Sequence, residues 1–478
     1  MARWRASWGS LILLAACSDG FRPERADQRP ESVTALREYC APGDPEQTYD
    51  EVWLERVTTA VPWPRGLAFD EHGELYAIAR GRHRRAGGLD PDLQDDCGKL
   101  FSIDTTISEV VLPGFGAGPG LDRNRRLLAE PDPEVHNLYD KTQGPPLSDY
   151  AMGRPYCSLD YHAGSRSLFV CAFSGVDKAD KTFRKNATDA VLRYDLRTGQ
   201  WSELERHDAS VVPRDEQDGV VPNQYYPHHD PETNPAPHGW LNGPDALCVV
   251  GDVLYAAGKD NHIVVAYDLS AFIDDPQAPA PGGRVVFQRD LLTRVGNELL
   301  ELDLQGPSSL ASDGEWLYVG FRTTSVVVRL PLDARGQVGE RTYGELVAVF
   351  EPWDPEAQRS ANLIDIALDE QGALYVACSR SARIWRVADP DPRRIFDGVD
   401  HGPSPTANRP YVDIGPLTGD PYPSVANISV GPGGQLYFCS GVYAYGDGQL
   451  AGEVLRVGSG ERPEAPSADG RAELSTGY

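Results

Sequence analysis

Lysine is scarce in this chain of 478 residues. It occurs only at positions 99, 141, 178, 181, 185 and 259, and acidic residues outnumber basic ones 71 to 45, for a formal charge of −26. Such a surface cannot neutralise a phosphate backbone broadly, which argues against general nucleic-acid binding. Methionine occurs twice, which excludes an adaptable methionine-lined groove. No Cys-x-x-Cys or Cys-x-x-Cys-His is present, so neither a zinc knuckle nor a c-type haem is indicated. There is no phosphate loop, no Gly-x-Ser-x-Gly elbow and no Ser-His-Asp spacing that stands out. Past the first residues, no apolar run approaches the length of a membrane-spanning helix. The remainder, 40% hydrophobic and 24% charged with 48 Gly and 39 Pro, reads as a turn-rich globular chain.

The first residues carry an address. Arg3 and Arg5 precede an apolar stretch at 6–16 (ASWGSLILLAA), which ends in Leu14-Ala15-Ala16-Cys17. The stretch is too short to span a bilayer. It resembles a bacterial lipoprotein signal. The resemblance implies that residues 1–16 are removed, that Cys17 is acylated, and that the protein is held by lipid in the bacterial cell envelope, on the periplasmic face or the cell surface. Residues 17–48 are polar and proline-containing and read as a tether; residues 461–478 read as a tail. Export places Cys40, Cys97, Cys157, Cys171, Cys248, Cys378 and Cys439 in an oxidising compartment. Cys157 and Cys171 fall on neighbouring strands of one hairpin and are expected to form a disulfide.

One dipeptide recurs in one setting: Leu75-Tyr76, Leu168-Phe169, Leu254-Tyr255, Leu317-Tyr318, Leu374-Tyr375 and Leu436-Tyr437. Each follows a short apolar strand and a tight turn, as in GLAFDEHGELYAIAR (66–80), IDIALDEQGALYVACSR (364–380) and NISVGPGGQLYFCSG (427–441). Alternating apolar residues about such a turn predict a β-hairpin. A third strand follows most copies. Repeats of three to four strands with no helical period between them predict an all-β fold, a β-propeller of six blades over 49–460, with long spacings that leave room for a seventh. The strand-like segment 50–57 precedes the first inner strand, while no fourth strand follows the last copy. It is predicted to supply that missing outer strand and close the ring. Long segments at 81–97, 113–153, 174–189, 206–241 and 390–423 are predicted as loops on the face where the inner strands begin, a common place for function.

The repeats resemble the six-bladed propellers of the gluconolactonase/senescence-marker superfamily and the NHL-repeat proteins. Aligned on the hairpins, the column opening each inner strand reads Gly66, Tyr156, Asp245, Ser308, Asp365 and Asn427, with Asn242 and Asn362 three residues ahead of the two aspartates. The resemblance implies a divalent cation, a hard ion suited to Ca²⁺, held at Asp245, Asp365 and Asn427. The family's glutamate is missing; Arg65-Gly66 stands in its place. These polar residues serve either as ligands or as turn caps. Counting on from each aromatic gives a second ring, Arg80, Lys259, Arg322 and Arg380. It is suited either to a carboxylate or phosphate or to pairing with the aspartates. The segment 222–242 carries His228, His229, Asp230, Glu232 and His238 and reads as a polar binding loop rather than a zinc site, since adjacent histidines do not readily share an ion. The leading expectation is a binding or scaffold module for a polar or anionic small molecule, a glycan or an envelope protein. The alternative is a Ca²⁺-dependent hydrolase of the lactonase or esterase type.

Overall fold

The computed structural model describes residues 52–62, 64–79, 98–111, 121, 123–131, 156–172, 188–208, 241, 243–259, 262–288, 291–295, 298–302, 304, 306–322, 324–339, 343–350, 362–379, 381–388, 390–391, 410–418, 425–440 and 452–458. The signal segment 1–16, Cys17, the tether 17–48, the tail 461–478 and the histidines of 222–242 lie outside them, as do Arg80, Asn242 and Arg380. Among the described residues no helix is long and apolar enough to cross a membrane.

The described strands form six sheets, which follow one another as the blades of a six-bladed β-propeller. The first blade runs Pro64–Phe69, Leu75–Ala79, Leu100–Ile103, Arg125–Ala129. The second runs Tyr156–His162, Ser167–Ala172, Thr188–Asp195, Gln200–Asp208, and the third Pro244–Val250, Val253–Gly258, Ile263–Asp268, Arg284–Phe287. The fourth runs Pro307–Ser312, Trp316–Phe321, Val326–Pro331, Gly344–Val349, and a hairpin, Thr293–Val295 with Glu298–Leu300, extends its outer edge. The fifth runs Leu363–Leu368, Leu374–Cys378, Arg383–Val387, Val412–Asp413. The sixth begins Ile428–Val430, Leu436–Ser440, Gly452–Gly458. Each inner strand packs on the next, and the sixth returns to the first.

The closing strand falls where the sequence placed it. Trp53–Val61 pairs antiparallel with Gly452–Gly458 and is itself covered by Glu109–Val110. Ion pairs cement the seam: Arg456 Nε donates to Glu55 Oε2 at 2.8 Å, and Arg56 Nε to Glu453 Oε1 at 2.9 Å. Two outer strands, Arg125–Ala129 and Val412–Asp413, lie inside segments expected to be loops. The first shows only a partly buried pattern and the second is two residues long, so neither carries an apolar period.

The recurring dipeptide has a physical cause. Its leucines, Leu75, Leu168, Leu254, Leu317 and Leu374, are wholly buried, each worth about 1.5–3 kcal/mol of apolar burial. They belong to apolar clusters that fill the gaps between neighbouring blades. In three blades the tyrosine hydroxyl closes the preceding turn: Tyr76 on Asp70, Tyr318 on Asp313 and Tyr375 on Asp369, at 3.1–3.2 Å. The same aspartates accept two backbone N–H groups of their own turns, so one carboxylate replaces the missing ladder bonds. Opposite the aromatic, the third strand presents Arg193, Arg329, Arg386 and Arg456 in blades two, four, five and six.

Candidate functional site

The inner strands enter the channel through a β-bulge. In the first five blades the register slips by one residue just after the opening residue. The slip is shared, but the hairpins differ in length and regroup the sequence-aligned column: the aromatic faces Cys248 and Ala311, seven residues earlier, in blades three and four, and Ala68, Ala367 and Ser429, eight residues earlier, in blades one, five and six. Ala246, Ser309, Asp365 and Gly66 pair with equivalent positions two residues beyond the aromatic of their second strands, and Asn427 bonds to the equivalent Cys439. Asp245 and Ser308 come from the bulge, one residue earlier. Asp245 and Asp365 are therefore not equivalent, although both reach the channel mouth. Bulges commonly re-aim side chains in this way.

Asn362 is displaced by the same residue. It does not match Asn242 but Gly243 and Gly306, for all three accept a backbone N–H from the residue after the second strand: Ser379, Lys259 and Arg322 respectively. All three are left-handed, with φ of 58° at Asn362, 61° at Gly243 and 66° at Gly306. Asparagine tolerates this conformation better than most residues. The second ring's member in blade five is Ser379, four residues past the aromatic as in the other blades, not Arg380.

The polar residues of the mouth form a chain of hydrogen bonds running from blade to blade. Asn427 Nδ2 donates to the Cys157 carbonyl at 3.0 Å and to Asp365 Oδ2 at 3.2 Å. The Cys157 thiol donates to Asp245. Asp245 Oδ2 accepts from Arg322 Nη1 at 3.0 Å, Arg322 Nε donates to Asn362 Oδ1 at 2.9 Å, and Asn362 Nδ2 donates to Ser379. The chain passes over blade one, where Gly66 leaves no side chain. A Cβ there would lie 2.6 Å from the Leu159 nitrogen and 2.7 Å from its Cβ. Asp365, Asp160 and Ser158 also staple neighbouring inner strands, accepting from Ile428 N, Val249 N and Leu247 N at 2.9, 2.6 and 3.1 Å.

Cys157 and Cys171 form no disulfide. The bulge between Tyr156 and Leu159 takes Cys157 out of the ladder, and its thiol turns to Asp245. Both remain buried thiols.

The electrostatics separate the two aspartates. Burial alone would raise the Asp245 carboxyl, but Lys259, Arg322, the Cys157 thiol and Arg65 together outweigh it and hold the group below its ordinary range. Burial dominates at Asp365, with the Asp245 charge adding to it, and pushes that carboxyl up to about 7. Asp160 is pushed up to about 6, also by burial.

A calcium ion does not fit this arrangement. Both Asp365 oxygens already accept N–H donors, from Ile366 on one side and from Ile428 and Asn427 on the other. Asn427 turns its NH₂, not its oxygen, toward that carboxylate. Asp245 sits among cations. Among the described residues no group of three or more His, Cys, Asp or Glu is placed to hold a metal.

A Ser-His-Asp arrangement, invisible in the sequence spacing, lies at the opposite end of the channel. His162 Nδ1 is 2.8 Å from Ser165 Oγ and Nε2 is 3.2 Å from Asp252 Oδ1. Ser165 is wholly buried while Asp252 is exposed. No substrate reaches such a serine, and the trio instead ties blade two to blade three.

No family model and no curated protein matches the chain. Solved structures do. The PQQ-bound aldose sugar dehydrogenase of Streptomyces coelicolor is 14% identical, with 85% of this chain and 99% of that chain covered at a TM-score of 0.42. A calcium-binding regucalcin of Agrobacterium tumefaciens is 10% identical, with coverages of 85% and 93% at 0.39. A protein assigned as a gluconolactonase is 11% identical, with 90% and 97% at 0.38. The likeness is one of fold.

Proposed function

We propose that this chain is a binding module of the bacterial cell envelope, anchored through Cys17, that takes a small anionic ligand at the channel mouth. The observation that carries the reading is the charge balance there. Arg65, Lys259 and Arg322 all act on one ionised carboxylate, Asp245, in a chain whose formal charge is −26. The second carboxylate, Asp365, is pushed up to about 7 and is only partly ionised near neutrality, so it offsets part of that surplus. Cations converging on a channel mouth favour carboxylate or phosphate, and arginine presents a fork matched to both. The lipid anchor rests on the Leu-Ala-Ala-Cys run behind a short apolar segment.

The test is a thermal-melt panel of small carboxylates and phosphates on the purified chain. A ligand that binds only the folded state raises the melting temperature with concentration. Lys259→Gln and Arg322→Gln should each reduce the shift. A panel in which no anion moves the wild-type transition overturns the reading.

A further inference from the structure

We propose that Arg322, Lys259 and Arg65 do at this channel mouth what a bound divalent ion would otherwise do, so that an oxyanion, carboxylate or phosphate, is held without metal. The inference rests on the anion-binding reading above and adds the source of the positive charge. Space, donors and charge each support it.

Blade one offers an ion no carboxylate: Arg65 holds the bulge position that Asp245 holds in blade three, and the residue after it has no room for a side chain. Its inner strand carries Gly66, and the backbone of Ser158 and Leu159 has moved in to 2.6–2.8 Å from where a Cβ would stand. Contacts under 3 Å to main chain cannot be relieved by rotating a side chain, so a glutamate there would have to displace an entire strand.

The carboxylate oxygens are committed elsewhere. Both Asp365 oxygens accept N–H groups that staple blades five and six, and Asn427 bridges blades five and two through its NH₂, so only its neutral, buried Oδ1 is left without a partner. Asp245 is 3.0 Å from a guanidinium nitrogen. An ion placed among these groups would meet positive charge at short range and gain no unoccupied carboxylate.

Arg322 is held for an anion in a specific way. Its Nε is fixed by Asn362 and its Nη1 by Asp245, while Nη2 has no hydrogen-bond partner among the described residues. The side chain is 27% exposed. With two nitrogens fixed, the third is aimed rather than mobile, so little rotamer freedom is lost when a ligand oxygen arrives. The residue that fixes Nε is the asparagine that blade five carries where blades three and four carry glycine.

The experiment is calorimetric titration of inorganic phosphate and, separately, of malonate into the purified full chain, in EDTA and in calcium. At least one anion should bind with the same affinity in both buffers, and calcium alone should give no binding heat. Phosphate binding without malonate, or the reverse, identifies the source of the oxyanion, and either supports the proposal. Removing the charge-assisted donor in Arg322→Gln should weaken binding about tenfold or more. Arg322→Lys, which keeps the charge but loses the fork, should recover part of the loss. Because Arg322→Gln also unpairs Asp245, Lys259→Gln serves as a second variant and should weaken binding with the same indifference to calcium. An anion that binds only with calcium overturns the metal-free site and leaves the anion-binding reading standing. Failure of both anions in both buffers removes both.

Discussion

Asp365 makes stability depend on pH in a direction unusual for a carboxylate. Its folded-state value of about 7 lies above the ordinary 3.8 because burial outweighs the three N–H donors that it accepts. The folded state therefore binds the proton more tightly than the unfolded state does. The resulting stability is fully present below pH 3.8 and is lost as pH rises through 7. One proton gives a slope of about 1.4 kcal/mol per pH unit. From pH 5 to pH 7 the loss attributable to Asp365 is therefore about 2 kcal/mol, because the slope falls by half where pH reaches the folded-state value. Asp160, raised to about 6, acts in the same direction but is spent by that pH. His162, lowered mainly by burial, works oppositely: the unfolded state gains its proton as pH falls through the ordinary 6.5. Asp365→Asn separates these contributions, since every other group titrates alike in both proteins. The amide should impose a constant cost of about 1–3 kcal/mol, because one of its groups then faces an N–H donor. The assay is urea unfolding of wild type and variant at intervals between pH 5 and pH 8. The wild-type advantage should be largest at pH 5 and shrink toward pH 8, most steeply below pH 7, and Asp160 drops out of the difference because it titrates alike in both proteins. A difference that stays flat with pH would refute the reasoning and mean that Asp365 is an ordinary ionised staple.

Other expectations follow from single positions. Gly66→Ala should cost about 1–3 kcal/mol in a urea melt, because its Cβ meets the Leu159 backbone. Asn362→Gly should leave stability nearly unchanged while weakening anion binding, whereas Asn362→Ala, forced into φ near 58°, should destabilise by about 1 kcal/mol or more in the same melt. Labelling cells with a fatty-acid analogue should mark the wild-type chain and not Cys17→Ser. Thiol titration after denaturation without reductant should find Cys157 and Cys171 reactive.

Much of the fold was legible because the residues that build it repeat. A leucine must be buried in each blade, and in three blades the neighbouring tyrosine must reach the turn aspartate. Both demands leave the same mark at each copy. The closing strand was legible from topology, since a last blade with three strands needs a fourth from elsewhere. The site was less legible because the inner hairpins of blades three and four are one residue shorter than those of blades one, five and six, which the apolar pattern does not mark. That single residue paired Asp245 with Asp365 and matched Asn362 to Asn242 instead of Gly243, whereas Arg380 lies five residues past its aromatic and the even count of four reaches Ser379. The glycines at 243 and 306 carried the missing signal, for their shared left-handed geometry marks the entrance of the inner strand. Cys157 was read as half of a disulfide because two cysteines on adjacent strands look alike in one dimension, while the bulge turns one thiol toward a carboxylate in three.

The seam between Trp53–Val61 and Gly452–Gly458 joins residues far apart in the chain, Arg56 to Glu453 and Glu55 to Arg456, 397 and 401 positions apart. Five blades can pair their strands locally, but the sixth must wait until Gly452–Gly458 is available to Trp53–Val61. Bringing its ends together costs loop-closure entropy that no earlier contact has offset. Ring closure should therefore be the late, slow event of folding. A chain cut short before Gly452 would keep five paired sheets and present two open strand edges in the sixth, ready to join a neighbouring copy instead of itself.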